Sequence, residues 1–243
     1  MRYKCTVSYD GSAFHGFQCQ PKLRTVQGEI EKVLRIITKN TTKIVVAGRT
    51  DTGVHALGQV FHFDFVISMS EENMRNALNC RLPRDIYIKK VCKVTNEFHA
   101  RYSAHDKTYM YFIDTAEYNP LNANYRFYYK YKLDIDKMKD SSKVFVGTHD
   151  FKSFAKGSDY NTSVRTLTSI DFDVIGTEIK ITFTGNGFLH NMIRIMVAMM
   201  LEVGKSNITR DELQVILDAK NRRLAPKTAP GGGLYLLAVN YSS

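Results

Sequence analysis

The order of apolar patterns along the first hundred residues constrains the fold most. RYKCTVSY (Arg2–Tyr9) alternates like a half-buried strand, and VQGEIEKVLRIIT (Val26–Thr38) sets Ile30, Val33, Leu34 and Ile37 at helical spacing. Strands over 43–48 and 58–65, a helix opened by Ser70 with Glu71 and Glu72 behind it, and a strand over 86–94 complete a β-α-β-β-α-β order. A strand over 107–114, a helix over 134–146, strands over 164–174 and 178–184, helices over 188–203 and 209–219 and a strand over 234–240 repeat that order without sequence identity between the halves. The expected class is α+β: two ferredoxin-like (βαββαβ) halves, residues 1–104 and 105–243, joining into one extended mixed or antiparallel sheet with helices on one face and a central cleft. No low-complexity linker separates them, so tightly docked halves are expected.

A chain of 243 residues with 44% apolar side chains can bury a sizeable core. No apolar run reaches the roughly 18 residues of a membrane span, and MRYKCTVSY lacks the features of a secretory leader, so no membrane partner and a cytoplasmic location are expected. Cys5, Cys19, Cys80 and Cys92 show neither CxxC spacing nor histidines at metal-ligand intervals, which predicts reduced thiols rather than zinc or disulfides. The net charge of +10 indicates an anionic partner, with +7 of it in residues 1–104. Aromatics interleaved with cations in RFYYKYK (Arg126–Lys132) suit RNA, although an edge strand with snorkelling lysines reads the same way. There is no GxGxxG after a strand and no Walker pattern, so no nucleotide cofactor is inferred.

Between two alternating runs lies GRTDTGVHA (Gly48–Ala56), where a hairpin asks only for glycine and a small polar residue. Gly48 and Gly53 bracket Arg49 and Asp51 and permit positive φ or a close backbone approach. The Asp51 carboxylate is available as a nucleophile or a base. Glycoside hydrolysis would ask for a second carboxylate as general acid, and the motif supplies none. Tyr109 and Tyr111 share one face of their strand, where either a base or the core could receive them. Arg194 interrupts the apolar run GFLHNMIRIMVAMMLEVG and needs a partner if buried, Asp51 being one candidate; a snorkelling arginine on a solvated helix face is the alternative. SYDGSAFHGFQ (Ser8–Gln18) and TAPGGGLYL (Thr228–Leu236) are glycine-punctuated segments with weaker signals, and His55 and His62 read as structural histidines.

Taken in order, SYDGSAFHGFQ, GRTDTGVHALGQVFHF, FHARYSA with KTYMY, HDFKSF (His149–Phe154) and TAPGGGLYL resemble the TruA family of tRNA pseudouridine synthases over nearly the entire chain. The resemblance implies an isomerase without cofactor that converts uridine to pseudouridine, at positions 38, 39 and 40 of the tRNA anticodon stem-loop. It implies Asp51 as the catalytic aspartate, Arg49 as the residue that displaces the target nucleotide, and Tyr109 as the ring packing on the base. It further implies Arg194 as the partner of the aspartate, Leu236 against the pocket, and a homodimer. A paralogue acting on another tRNA site or on ribosomal RNA, and an RNA-binding protein without catalysis, are the alternatives.

Overall fold

The computed structural model describes residues 1–157 and 162–241. Along the chain run β1 (Arg2–Tyr9), α1 (Val26–Thr38), β2 (Val45–Val46), β3 (His55–Asp64), α2 (Glu71–Asn79), β4 (Ile86–Val94), β5 (Ala104–Asp114), β6 (Phe127–Tyr128) and α3 (Ile135–Ser142). There follow β7 (Gly147–Asp150), β8 (Val164–Ile175), β9 (Glu178–Gly185), α4 (Met192–Gly204), α5 (Arg210–Asp218) and β10 (Leu234–Tyr241). Contacts divide the chain into Met1–His105 with Tyr235–Ser243, and Asp106–Leu234. No helix among the described residues is long and apolar enough to cross a membrane.

In the first unit β1 lies between β4 and β3, antiparallel to both, and β2 continues the order on the other side of β3. With α1 after β1 and α2 after β3, this is the ferredoxin-like arrangement. Alternation in β1 buries Tyr3, Cys5, Val7 and Tyr9, and α1 turns Val26, Ile30, Val33 and Leu34 inward. Thr25 caps α1 by accepting from the Gly28 amide, and Ser70 caps α2 by accepting from the Asn73 amide. The expected strand over 43–48 shortens to Val45–Val46, because the chain bends at Ala47 and Gly48 towards the charged loop. β10 adds parallel to the start of β3, with Tyr235 opposite His55 and Leu236 opposite Ala56.

The second unit has β9 antiparallel to both β5 and β8, with β7 antiparallel to β8 and β6 parallel to β5. Tyr109, Tyr111 and Ile113 of β5 are buried with Ile179, Ile181 and Phe183 of β9. The βαββαβ order assigns β10 to this half as its fourth strand, whereas its residues from Tyr235 onward cluster with the first unit. The helix expected over 188–203 begins only at Met192, because Asn191 sits in the left-handed region at φ +61°. The aromatic run Arg126–Lys132 forms the short β6 followed by an edge-to-face ladder of Phe127, Tyr129 and Tyr131, with Lys130 and Lys205 beside the last ring.

Candidate active site

The loop from Gly48 to Val54 is held from beneath by its own unit. Thr50 is buried and its hydroxyl lies 2.8 Å from the Tyr9 hydroxyl, while the Thr50 carbonyl accepts from the Phe17 amide at 3.1 Å. Burial pushes the Tyr9 phenol up to about 12 against the opposing hydrogen bonds with Thr50 and Gln59, so it stays a neutral support. Gln59, fully buried, donates to the Gly48 carbonyl at 2.8 Å, and the Val54 amide closes a turn onto the Asp51 carbonyl at 3.2 Å. Gly53 takes φ +76°, as a tight turn requires; Gly48 does not take positive φ and serves through its carbonyl. The result is a half-buried Asp51 on an anchored backbone, with Arg49 exposed two residues earlier.

The loop after β1 wedges against this turn. A methyl group on Gly11 would stand 2.0 Å from the Val54 carbonyl oxygen, and one on Gly16, at φ +85°, would stand 2.8 Å from the Thr50 oxygen. Only glycine lets the two backbones approach so closely. The Gly11 amide donates to His55 Nδ1 at 3.0 Å, and the His55 ring stacks on Tyr235 at 4.6 Å between centroids. His55 is buried and locks three segments of the first unit together, the structural role expected of it. His62 is likewise buried, and burial first, then Arg2 and His99, hold it down to about 4 while its Nδ1 accepts from the Ala100 amide of the FHARYSA segment.

In the second unit Tyr109 is buried on β5, with Phe188 edge-on to its ring at 5.1 Å. Arg194 is half-buried on an otherwise buried α4, which rules out the solvated-face alternative. Its Nε donates to the Ala229 carbonyl at 2.7 Å and one terminal nitrogen to Asn191 Oδ1 at 2.9 Å, while the Ala229 amide returns a bond to the Arg194 carbonyl at 3.0 Å. Asn191 therefore spends its side chain on the arginine and leaves the helix start without a side-chain cap. Tyr111 donates to the Pro230 carbonyl at 2.8 Å, and burial raises its phenol far above the ordinary value despite Arg194 nearby. The segment Ala225–Pro230 thus acts as a strap whose carbonyls hold both Arg194 and Tyr111.

The strap is fastened to α4 by Glu202, which meets Lys227 at 2.7 Å, Lys205 at 2.8 Å and Asn207 Nδ2 at 2.9 Å. Burial pushes the Glu202 carboxyl up, but these three hydrogen bonds outweigh it and hold the group down to about 2. The folded value lies below the ordinary one, so the stabilisation is complete above pH 4.5 and fades as pH falls towards 2. Glu202→Gln should lower stability at pH 7 by about 2 kcal/mol, allowing for solvent screening of the lysines, and the deficit should vanish near pH 2. Urea unfolding of both proteins across that range checks this.

Residues 6–103 and 142–242 match the family described as tRNA pseudouridine synthase. The chain belongs to that synthase family. A tRNA pseudouridine synthase A of Limosilactobacillus reuteri is 49% identical over 249 residues, covering 100% of this chain and 97% of that protein. The Bacillus subtilis protein of the same name is 43% identical with 100% of both chains covered, and that of Streptococcus pneumoniae is 45% identical with 99% and 98% covered.

Of the residues expected to serve a synthase, Asp51 and Arg49 stand on one loop of the first unit, and Tyr109 and Arg194 lie in the second. Leu236 is fully buried on β10. Sequence reading missed the strap and the Gly11 and Gly16 wedge. Their signals were present in TAPGGG and SYDGSAFHGF, but a glycine read alone does not say which backbone it must admit.

Proposed function

We infer that this chain isomerises uridine to pseudouridine in tRNA, at positions 38, 39 and/or 40 of the anticodon stem-loop. The observation that carries the reading is the family match along the chain, with GRTD intact at a loop whose backbone is anchored around Asp51. Asp51 either bonds to C1′ or takes a proton from the ribose as the N1–C1′ bond breaks; the retained uracil rotates, and C5 bonds to C1′ as the Asp51–C1′ bond breaks or the proton returns to the ribose carbon. The C5 proton is then lost and N1 is protonated, so no atom is gained or lost overall. Because the base departs as an anion and is recaptured, no second carboxylate is needed as a general acid. Tyr109 packs on the base, Arg194 pairs with Asp51, Leu236 backs the pocket, and exposed Arg49 manages the displaced nucleotide, since a base within a stem must leave its stack to react. The reading carries with it a cytoplasmic homodimer that uses its +10 charge to hold RNA.

Incubation with an unmodified tRNA transcript should give pseudouridine and no free uracil; release of uracil would instead assign a hydrolase. Tyr109→Phe keeps the ring and should retain activity within about tenfold, whereas Tyr109→Ala removes the stacking surface and should cost at least about a hundredfold in kcat/KM.

A further inference from the structure

His55 opens β3 and is buried, with its ring lying on Tyr235 of β10 at an interplanar angle of 20°. Its Nδ1 accepts from the Gly11 amide at 3.0 Å. An amide can only donate, so that nitrogen carries a lone pair and the ring proton is assigned to Nε2. Asp10 Oδ1 also lies 3.2 Å from Nδ1, but this oxygen takes donors from the Ser12 amide at 2.9 Å and the Ser12 hydroxyl at 2.5 Å. His55 therefore serves here as an acceptor for a backbone amide rather than as the cation of an ion pair.

Gly11 is buried, so its N–H has no water to turn to if that acceptor is lost. The same glycine is closed against Val54, whose carbonyl oxygen is the atom that a methyl group on Gly11 would strike. Val54 in turn donates its amide to the Asp51 carbonyl. His55 thus reaches past its neighbour Val54 to hold the loop that presses on this turn, and the far end of the turn is Asp51. His62 offers a comparison within one strand, seven residues and roughly 23 Å further along β3. It too is buried and its Nδ1 too accepts an amide, from Ala100 at 3.1 Å, but that bond does not involve the loop seated on the Asp51 turn.

We propose that His55 is a positioning residue for Asp51: by holding the Gly11 amide, its Nδ1 keeps the first loop seated and the Asp51 turn in its reactive place. The proposal rests on the uridine-isomerase reading for the reaction it serves. His55→Phe keeps a ring against Tyr235 and removes the acceptor, whereas His55→Asn loses the ring and puts a carbonyl oxygen near the place of Nδ1. His62→Phe makes the same change at the comparison histidine. His55→Gln, whose carbonyl reaches towards the place of Nε2 instead, repeats the loss with a polar side chain should His55→Phe fail to fold. Single-turnover pseudouridine formation is measured with tRNA affinity, urea unfolding, and hydrogen exchange of the Gly11 and Val54 amides in the free protein. His55→Phe should react about thirtyfold more slowly while binding tRNA within a few-fold of wild type, and both amides should exchange faster. His55→Asn should recover the rate to within about threefold, and His62→Phe should lose stability but not rate. A wild-type rate in His55→Phe, no recovery in His55→Asn, or an equal slowing in His62→Phe would each overturn the proposal. A wild-type protein that forms no pseudouridine would sink the isomerase reading instead; the exchange of Val54, faster in His55→Phe and normal in His55→Asn, would still show the link to the turn, and unchanged exchange would break it.

Discussion

Asp51→Ala should abolish pseudouridine formation, by about 10⁴-fold or more in single-turnover assays, while tRNA affinity stays within a few-fold of wild type. The size follows from the role. A residue that attacks or deprotonates the ribose acts mainly on the transition state, so its loss falls on the chemical step rather than on ground-state binding. The loop gives the prediction a sharper form: Thr50 below it is tied to Tyr9 and Phe17, and Gly48 to Gln59, so Asp51→Asn should leave the backbone where it is. The amide variant keeps the shape and loses the charge, and it should be as inactive as Asp51→Ala. Substantial activity in the amide variant would assign Asp51 to positioning.

Gly11→Ala should be the most damaging substitution outside the residues given chemical roles. Its methyl group would stand 2.0 Å from the Val54 carbonyl oxygen, a backbone atom that cannot rotate away as a side-chain tip can. Either the loop after β1 or the turn carrying Asp51 must shift. The expected cost is about 3 kcal/mol of stability and, because a displacement near 1 Å suffices to misplace a reacting group, about a hundredfold in kcat. Urea unfolding with single-turnover kinetics reads both. Loss of stability with an unchanged rate would show that the first loop gives way and the Asp51 turn does not.

The legible part of the fold was the part written in periodicity. Alternation placed β1, and the spacing of Ile30, Val33 and Leu34 placed α1, because one buried face dictates those patterns. Three features escaped for physical reasons. β2 shrinks to two residues because Ala47 and Gly48 bend to deliver the loop, so tertiary demand overrides an apolar run. α4 starts late because Asn191 takes a left-handed backbone at φ +61°, while its side chain accepts from Arg194, a bond that no propensity records. β10 clusters from Tyr235 with the first unit, since pairing to β3 depends on a partner far away in sequence.

The candidate site divides in the same way. GRTD was visible because Arg49 and Asp51 exceed what a hairpin needs. Arg194 was visible as a charge in an apolar run, but its holders Ala229 and Pro230 act through backbone carbonyls and carry no side-chain signature.

The central claim is that this chain isomerises uridines of the tRNA anticodon stem-loop through Asp51. Pseudouridine mapping across total RNA, from cells lacking the gene and from the same cells supplied with the wild-type or the Asp51→Ala gene, tests it most directly. Modification at tRNA positions 38, 39 or 40 should disappear on deletion, return with the wild-type gene and stay absent with Asp51→Ala. Unchanged modification at all three positions after deletion, or its full return with Asp51→Ala, would contradict the claim.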